Sequence, residues 1–195
     1  MNKTLVSVCI PCHNAAPYLG QALASIFQQT WQSTEVIVVN DGSTDDSAEI
    51  LSHFDSPRLK IINASFKSAA KSRNLALANA QGDLIKFFDA DDVLSPSSIE
   101  SQIHRLAGHS NSVAYSRWGR FYNDDIKSFS LSPHRVWRDM NATDWLVEAW
   151  YDAHPMMQPG LFLIPRSLLD VTGGWDEQLT PVSYTHLTLP TILLV

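Results

Sequence analysis

One alternation constrains the fold more than any other feature of the chain. Four times between Leu5 and Leu106 a short apolar or β-branched run is followed by a helical stripe, with only short loops between. Leu5–Pro11 reads as a strand buried on both faces of a parallel sheet. Ala15–Gln29 carries Leu19, Ala22, Leu23, Ile26 and Phe27 at the three-and-four spacing of an amphipathic helix. Glu35–Val39 is the second strand, and Asp45–His53 the second helix, with Ser43 or Thr44 as its expected cap. Leu59–Ile62 and Lys67–Ala80 form the third pair, the helix closed by Gly82. The fourth strand opens at Leu84 and leads through an acidic turn to a helix from Pro96 to about Leu106, with proline in its first turn. The alternation predicts an α/β fold, a mostly parallel sheet with helices on both faces. In such sheets ligands bind outside the carboxyl ends of the strands. Pro11–Asn14, Asn40–Ser43 and Asp89–Asp92 all fall there.

After Gly108 the rhythm breaks. Ser112–Phe121 and Lys127–Leu131 read as aromatic-rich strands and Ala142–Trp150 as a short amphipathic helix. Pro159–Pro165 is strand-like, Arg166–Val171 is helical, and Gly173-Gly174-Trp175 is a turn needing unusual dihedrals. This half reads as α+β and packs against the first without a low-complexity linker.

The run Leu84–Leu94 drives an apolar strand into Asp89, Asp91 and Asp92. Residues two apart on an extended chain point to one side, so Asp89 and Asp91 can converge on a single object. Clustered carboxylates repel unless a cation sits among them, and oxygen ligands favour a hard ion, Mg²⁺ or Mn²⁺, over zinc. The competing reading is an acidic surface turn in which Asp92 or Ser95 caps the next helix. Asn40-Asp41-Gly42-Ser43 has two readings as well, a common Asp-Gly turn or a carboxylate placed to accept from a base or ribose edge. Arg73-Asn74, after Lys67 and Lys71, is either a solvated basic face or a guanidinium that meets a phosphate.

Composition closes several alternatives. With 14 basic and 20 acidic side chains, net −6, no nucleic-acid partner is expected. No apolar run reaches spanning length and the N-terminus lacks a leader's pattern, so the chain reads as cytoplasmic, with peripheral residence at the inner face of a membrane as a variant of that reading. Cys9-Ile-Pro-Cys12-His13 matches the spacing of haem attachment and of a redox pair. Haem attachment needs export, however, and Cys9 lies inside the strand rather than at a helix start, so two reduced cysteines are expected. The seven histidines form no HxxxH or HExxH set, and neither GxGxxG nor GxxxxGK[ST] occurs. The aromatics from Tyr115 to Tyr151 are expected mainly in the core.

Taken together, these segments resemble one family closely, the family 2 glycosyltransferases with the GT-A fold. The resemblance runs from Val6 to about Thr180 and rests on five stretches in order. They are Val6–Asn14, Gln29-Thr30-Trp31 with Glu35–Asp45, Ser72-Arg73-Asn74, Phe88–Leu94, and Gly173–Glu177. It implies inverting, metal-assisted transfer of a sugar from a nucleotide-diphosphate donor to an acceptor hydroxyl on a glycan, a lipid-linked sugar or another molecule. It places Pro11, His13 and Asn14 at the nucleotide base, Asp41 at the base or ribose, and Arg73 near the nucleotide. Asp91 then contacts Mn²⁺ or Mg²⁺ directly and Asp89 lies nearer the ribose while sharing the metal site. The family's base belongs to an acidic motif expected beyond Pro181; Asp176 and Glu177 are the remaining candidates. A nucleotidyltransferase on a similar sheet is the alternative enzyme, although Pro11–Asn14 is not the Gly-rich loop of that class. A non-catalytic nucleotide- or sugar-binding module is the other.

Val182–Val195 contains no Asp, Glu, Lys or Arg. Within it Val182–Thr191 resembles the conceptual translation of a transposase adapter used in sequencing libraries; a genuine apolar strand is the alternative. The expectation is one domain over 1–181, incomplete at its C-terminus, and an artefactual tail over 182–195.

Overall fold

The computed structural model describes residues 4–122, 125–131, 133–151, 158–178 and, for the backbone, 191–194. Its first half follows the alternation read from the sequence. The strands are β1 (Val6–Cys12), β2 (Thr34–Asp41), β3 (Leu59–Ala64) and β4 (Leu84–Phe87). The helices after them are α1 (Ala16–Phe27), α2 (Ser47–Ser52), α3 (Ala69–Ala78) and α4 (Ser98–Leu106). β1 lies between β2 and β4, β3 flanks β2, and all these pairings are parallel.

Alternation along each strand divides the core. Val6, Val8 and Ile10 of β1 pack with Leu19, Leu23 and Ile26 of α1, Leu51 of α2 and Ile99 of α4 on one face. Cys9 and Ile37 turn to the other face, where Ala76 of α3 meets Phe87, Tyr115 and Trp145. Helices therefore cover both faces, as the unbroken apolar runs require.

Two helix starts differ from expectation. α2 begins after Asp46 with no side-chain cap, because Asp45 is drawn to the backbone N–H of Ala16 and of Ser47. Neither Ser43 nor Thr44 caps it. α4 begins after Ser97, and the Ile99 N–H donates to Gln29 Oε1 at 3.1 Å, so a residue just past α1 takes the role assigned to Asp92 or Ser95. α3 ends at Ala78 with Asn79 as its C-cap, short of Gly82. That glycine instead packs against the backbone of Leu5 and Ser7, where a Cβ would collide.

In the second half the expected strand Ser112–Phe121 is two strands, β5 (Val113–Tyr115) and β6 (Gly119–Tyr122), the latter paired with β7 (Asp125–Leu131) in a separate hairpin. β8 (Met140–Asn141) and α5 (Ala142–Trp150) follow; the helix has the expected bounds, and Asn141 caps it by accepting from the Asp144 N–H. Pro159–Leu161 is a 3₁₀ turn rather than strand, and leads to β9 (Phe162–Pro165) and α6 (Arg166–Thr172). β9 runs antiparallel between β4 and β5 and carries the sheet into this half. Residues 179–190 lie outside the described set. Thr191–Leu194, set aside in the sequence reading, forms β10, parallel to β5 and antiparallel to β8.

Candidate functional site

Three strand ends meet as the parallel sheet predicts. The loops after β1, β2 and β4, with the start of α3, enclose a cavity of about 730 Å³. Its wall contains Pro11, His13, Asn14, Asp41, Arg73, Asp89 and Asp91, so every residue assigned from sequence to nucleotide or metal borders one space.

The loops are tied together through backbone groups. Asn14 stands at φ 51°, in the left-handed region that asparagine tolerates. There its Oδ1 accepts from the Thr44 N–H at 2.8 Å and its own N–H donates to Ser43 Oγ at 3.1 Å. His13 Nδ1 lies 2.7 Å from the Asp41 carbonyl oxygen. The loops after β1 and β2 are thereby one unit.

Asp41 organises the third loop. Its Oδ1 accepts from the N–H of Phe66 and, at 3.0 Å, of Lys67; its Oδ2 accepts from the Ser68 N–H at 2.8 Å and the Ser72 hydroxyl at 3.1 Å. Burial works against the charge, but these donors outweigh it and hold the carboxyl below the usual range. Both oxygens are thus committed to the chain entering α3.

Arg73 lies in α3, only 2% exposed, which removes the solvated-face reading. Its Nη2 donates to Asp89 Oδ1 at 2.6 Å, and its guanidinium lies over the Trp175 ring, 4.6 Å from the centroid. Nε and Nη1 are buried without a hydrogen-bond partner among the described residues. Buried donors are rarely left so, and a guanidinium with spare donors at a cavity wall suits an oxyanion.

Trp175 is the participant that sequence reasoning missed; it was read as part of a turn and of the Gly173–Glu177 stretch, with no role at the site. Asn74 Oδ1 accepts from the Trp175 N–H and Asn74 Nδ2 donates to its carbonyl, each at 2.8 Å. Asn74 Nδ2 also donates to Glu177 Oε1 at 2.9 Å, while Asp176 Oδ1 accepts from the Gln178 N–H. The two candidate bases are therefore engaged in docking and shaping this segment, and neither lines the cavity. The signal was present in the adjacency of Arg73 and Asn74, but their partner lies about a hundred residues away.

The acidic turn divides its side chains. Asp89 Oδ2 and the oxygens of exposed Asp91 accept no hydrogen bond from a described residue, and both side chains border the first cavity. Asp92 instead lines a second cavity, of about 550 Å³, beside Phe88 and Gly160. Burial first, then the charges of Asp89 and Asp91, push its carboxyl up to about 7. On the strand before it, Lys86 is fully buried with Nζ 2.9 Å from Gln102 Oε1, and burial pushes its ammonium down to about 7.

No group of three His, Cys, Asp or Glu side chains suited to a metal occurs among the described residues. The donor set nonetheless fits a hard ion of the Mg²⁺ type, which takes one or two carboxylates and completes its shell from substrate phosphates and water. Asp89 and Asp91 are those two. The cysteines are free and buried, and desolvation raises both thiols, which agrees with structural rather than redox roles.

The fold, of the GT-A type, is shared with solved structures that include a mannosyltransferase. Residues 1–349 of S. aureus TarS in complex with UDP-GlcNAc superpose with a TM-score of 0.75 at 18% identity, over 98% of this chain and 58% of that one. The mannosyltransferase PcManGT of Pyrobaculum calidifontis, in complex with GDP-Man and Mn²⁺, gives 0.72 at 21% identity, over 100% and 55%. The chain belongs to Glycosyl transferase family 2, whose description matches residues 7–173. Among its relatives, an uncharacterized glycosyltransferase of Rickettsia prowazekii is 31% identical over 93% of this chain and 56% of its own length. The Escherichia coli protein WfgD, named a UDP-Glc:alpha-D-GlcNAc-diphosphoundecaprenol beta-1,3-glucosyltransferase, is 29% identical over 70% and 54%. The chain spans about half the length of the curated relatives it matches. Membership decides against the nucleotidyltransferase alternative. No described helix is long and apolar enough to cross a membrane.

Proposed function

We propose that the first cavity holds the nucleoside diphosphate of a sugar donor, and that the sugar is transferred with inversion to an acceptor hydroxyl entering from the second cavity. The observation that carries this is Arg73, a buried guanidinium with two unpartnered N–H groups beside Asp89 and Asp91. It supplies a charge-assisted contact to a phosphate oxygen. Pro11, His13 and Asn14 border the base, and Asp41 holds the base and ribose end in shape through the 66–68 backbone. Asp91, with Asp89, would hold Mn²⁺ or Mg²⁺. Such an ion, when bound, offsets the charge that develops on the leaving diphosphate.

In the transfer the acceptor oxygen forms a bond to the anomeric carbon from the face opposite the donor phosphate. The bond from that carbon to the diphosphate oxygen breaks, its electron pair leaving with the diphosphate, and the acceptor proton passes to a carboxylate base. Asp176 and Glu177, committed to Gln178 and Asn74, are not proposed as that base. The names of WfgD and TarS support a donor of the uridine type and a place in the building of cell-envelope polymers.

Calorimetric titration of the chain with UDP, GDP and CDP, each with and without Mn²⁺, tests the reading. Manganese-dependent binding of one nucleotide is expected, and Asp91→Ala should remove the metal dependence while leaving a weaker metal-free affinity. Arg73→Met should weaken binding about tenfold to a hundredfold, the loss of one charge-assisted contact. No metal-dependent heat with any nucleotide would overturn the proposal.

A further inference from the structure

The second cavity carries a charge pattern that the transfer reaction by itself does not require. Arg117 and Arg120, from the β5–β6 connection and β6, stand at its wall with exposed side chains. Arg117 lies over the Trp137 ring at 5.9 Å and Arg120 over the Trp118 ring at 5.8 Å. Neither pairs with a carboxylate among the described residues. Three other arginines nearby do: Arg135 and Arg138 both reach Glu148, and Arg105 of α4 reaches Asp139. In a chain of net charge −6, two adjacent unpaired cations on one cavity wall stand out. The hydroxyl of Ser116, which precedes Arg117, lines the same wall and is buried without a hydrogen-bond partner among the described residues. Phe121 and Phe129 of the hairpin add apolar surface. Asp92 is the one carboxyl among the described lining residues, and it belongs to the acidic turn that separates the cavities.

We infer that the acceptor is anionic, carrying a phosphate ester close to the sugar that receives the transfer, and that Arg117 and Arg120 read that phosphate. This rests on the proposed function, since it names the class of molecule entering the second cavity. The guanidinium fork matches phosphate bidentately, and an aromatic ring beneath holds the planar group in place without neutralising it. The Asp92 end of the cavity offers no cation to an anion. The acceptor therefore lies with its hydroxyl toward the acidic turn and its phosphate toward the hairpin. Ser116 supplies a further donor or acceptor along the way.

The test compares three probes built on one sugar, N-acetylglucosamine: the 1-phosphate, a dodecyl phosphodiester and the neutral dodecyl glycoside. Binding is followed by quenching of tryptophan fluorescence in the presence of saturating nucleotide and Mn²⁺. Both anionic probes should bind about tenfold or more tighter than the neutral one, with an advantage that shrinks as salt is raised. Arg117→Gln with Arg120→Gln should bring the phosphodiester down to the level of the neutral glycoside, and Arg117→Lys with Arg120→Lys should restore part of the preference. A free phosphate binding as well as the lipid phosphodiester assigns the recognition to the phosphate alone; a further gain for the phosphodiester adds the apolar wall. Equal binding of charged and neutral probes, or a double Gln variant that loses both to the same extent, would overturn the inference. Nucleotide binding measured alongside keeps the two proposals apart. If it is present while discrimination between probes is absent, only the inference about the acceptor falls.

Discussion

Replacing Asp41 by Asn changes little in volume and removes the charge on which the third loop converges. The carboxylate takes donors from Phe66, Lys67, Ser68 and Ser72, divided evenly between its oxygens. An amide has one oxygen; with its NH₂ turned toward Ser68 and Ser72 the Ser68 N–H loses its acceptor, while the Ser72 hydroxyl can rotate to accept. Leaving a buried donor unsatisfied costs about 1–3 kcal/mol, and water from the neighbouring cavity offsets part of this. With one backbone donor stranded, Asp41→Asn should destabilise the chain by about 1–3 kcal/mol. Asp41→Ala should cost no more, because the space it leaves admits water to all the donors. Urea unfolding followed by tryptophan fluorescence gives the difference as a shift in midpoint at constant slope. The acid limb supplies a second reading. The folded carboxyl lies below the usual range and the unfolded one at about 3.9, so its stabilisation is complete above that value and is lost as pH falls through the folded value. Asp41→Ala should flatten this limb. An Asn variant within about 0.5 kcal/mol of the native chain would refute the claim that the carboxylate holds the loop.

Lys86 and Asp92 shape the rest of the pH profile. The folded ammonium at about 7 has released a proton that the unfolded chain keeps up to about pH 10, so stability should rise with pH across that window. Asp92, at about 7 when folded, keeps a proton that the unfolded chain releases near pH 4, so stability should fall between those values. Thermal midpoints should therefore pass through a minimum near neutrality. Lys86→Met should abolish only the alkaline rise, and a variant retaining it would contradict the assignment. Gly174→Ala should set a Cβ against Asn74 Oδ1 and loosen the Trp175 segment, at about 1–3 kcal/mol of thermal stability. Unchanged stability and unchanged nucleotide affinity together would separate Trp175 from the function of Arg73.

The first half of the fold was legible because its strands are buried on both faces. That burial forces continuous apolar runs, and the helices between them show the three-and-four stripe plainly. Its helix caps were not legible. Gln29 serves α4, and Asp45 is diverted to α1, through contacts that local spacing does not encode. In the second half Ser112–Phe121 read as one strand because Ser116–Trp118, which breaks it, is no less strand-like in composition than its flanks. The site was legible as far as its carboxylates and Arg73, since each sits at a strand end or on the helix beside one. The commitment of Asp41 to backbone donors and the Trp175 platform depend on tertiary approach. Asp92 had two readings, a member of the carboxylate cluster or a cap for the next helix, and the structure turns it to the far side of its own turn.

The sheet reverses direction at β9, and that reversal has a consequence for how such a chain can change. Because β9 runs against β4, the 3₁₀ turn Pro159–Leu161 arrives at the same rim as the acidic turn, close enough that Gly160 has no room for a side chain beside Phe88. Segments leading into that rim can lengthen, shorten or be exchanged over evolutionary time without shifting the register of the parallel strands behind it. One half can thus drift toward new molecules while the other keeps its geometry.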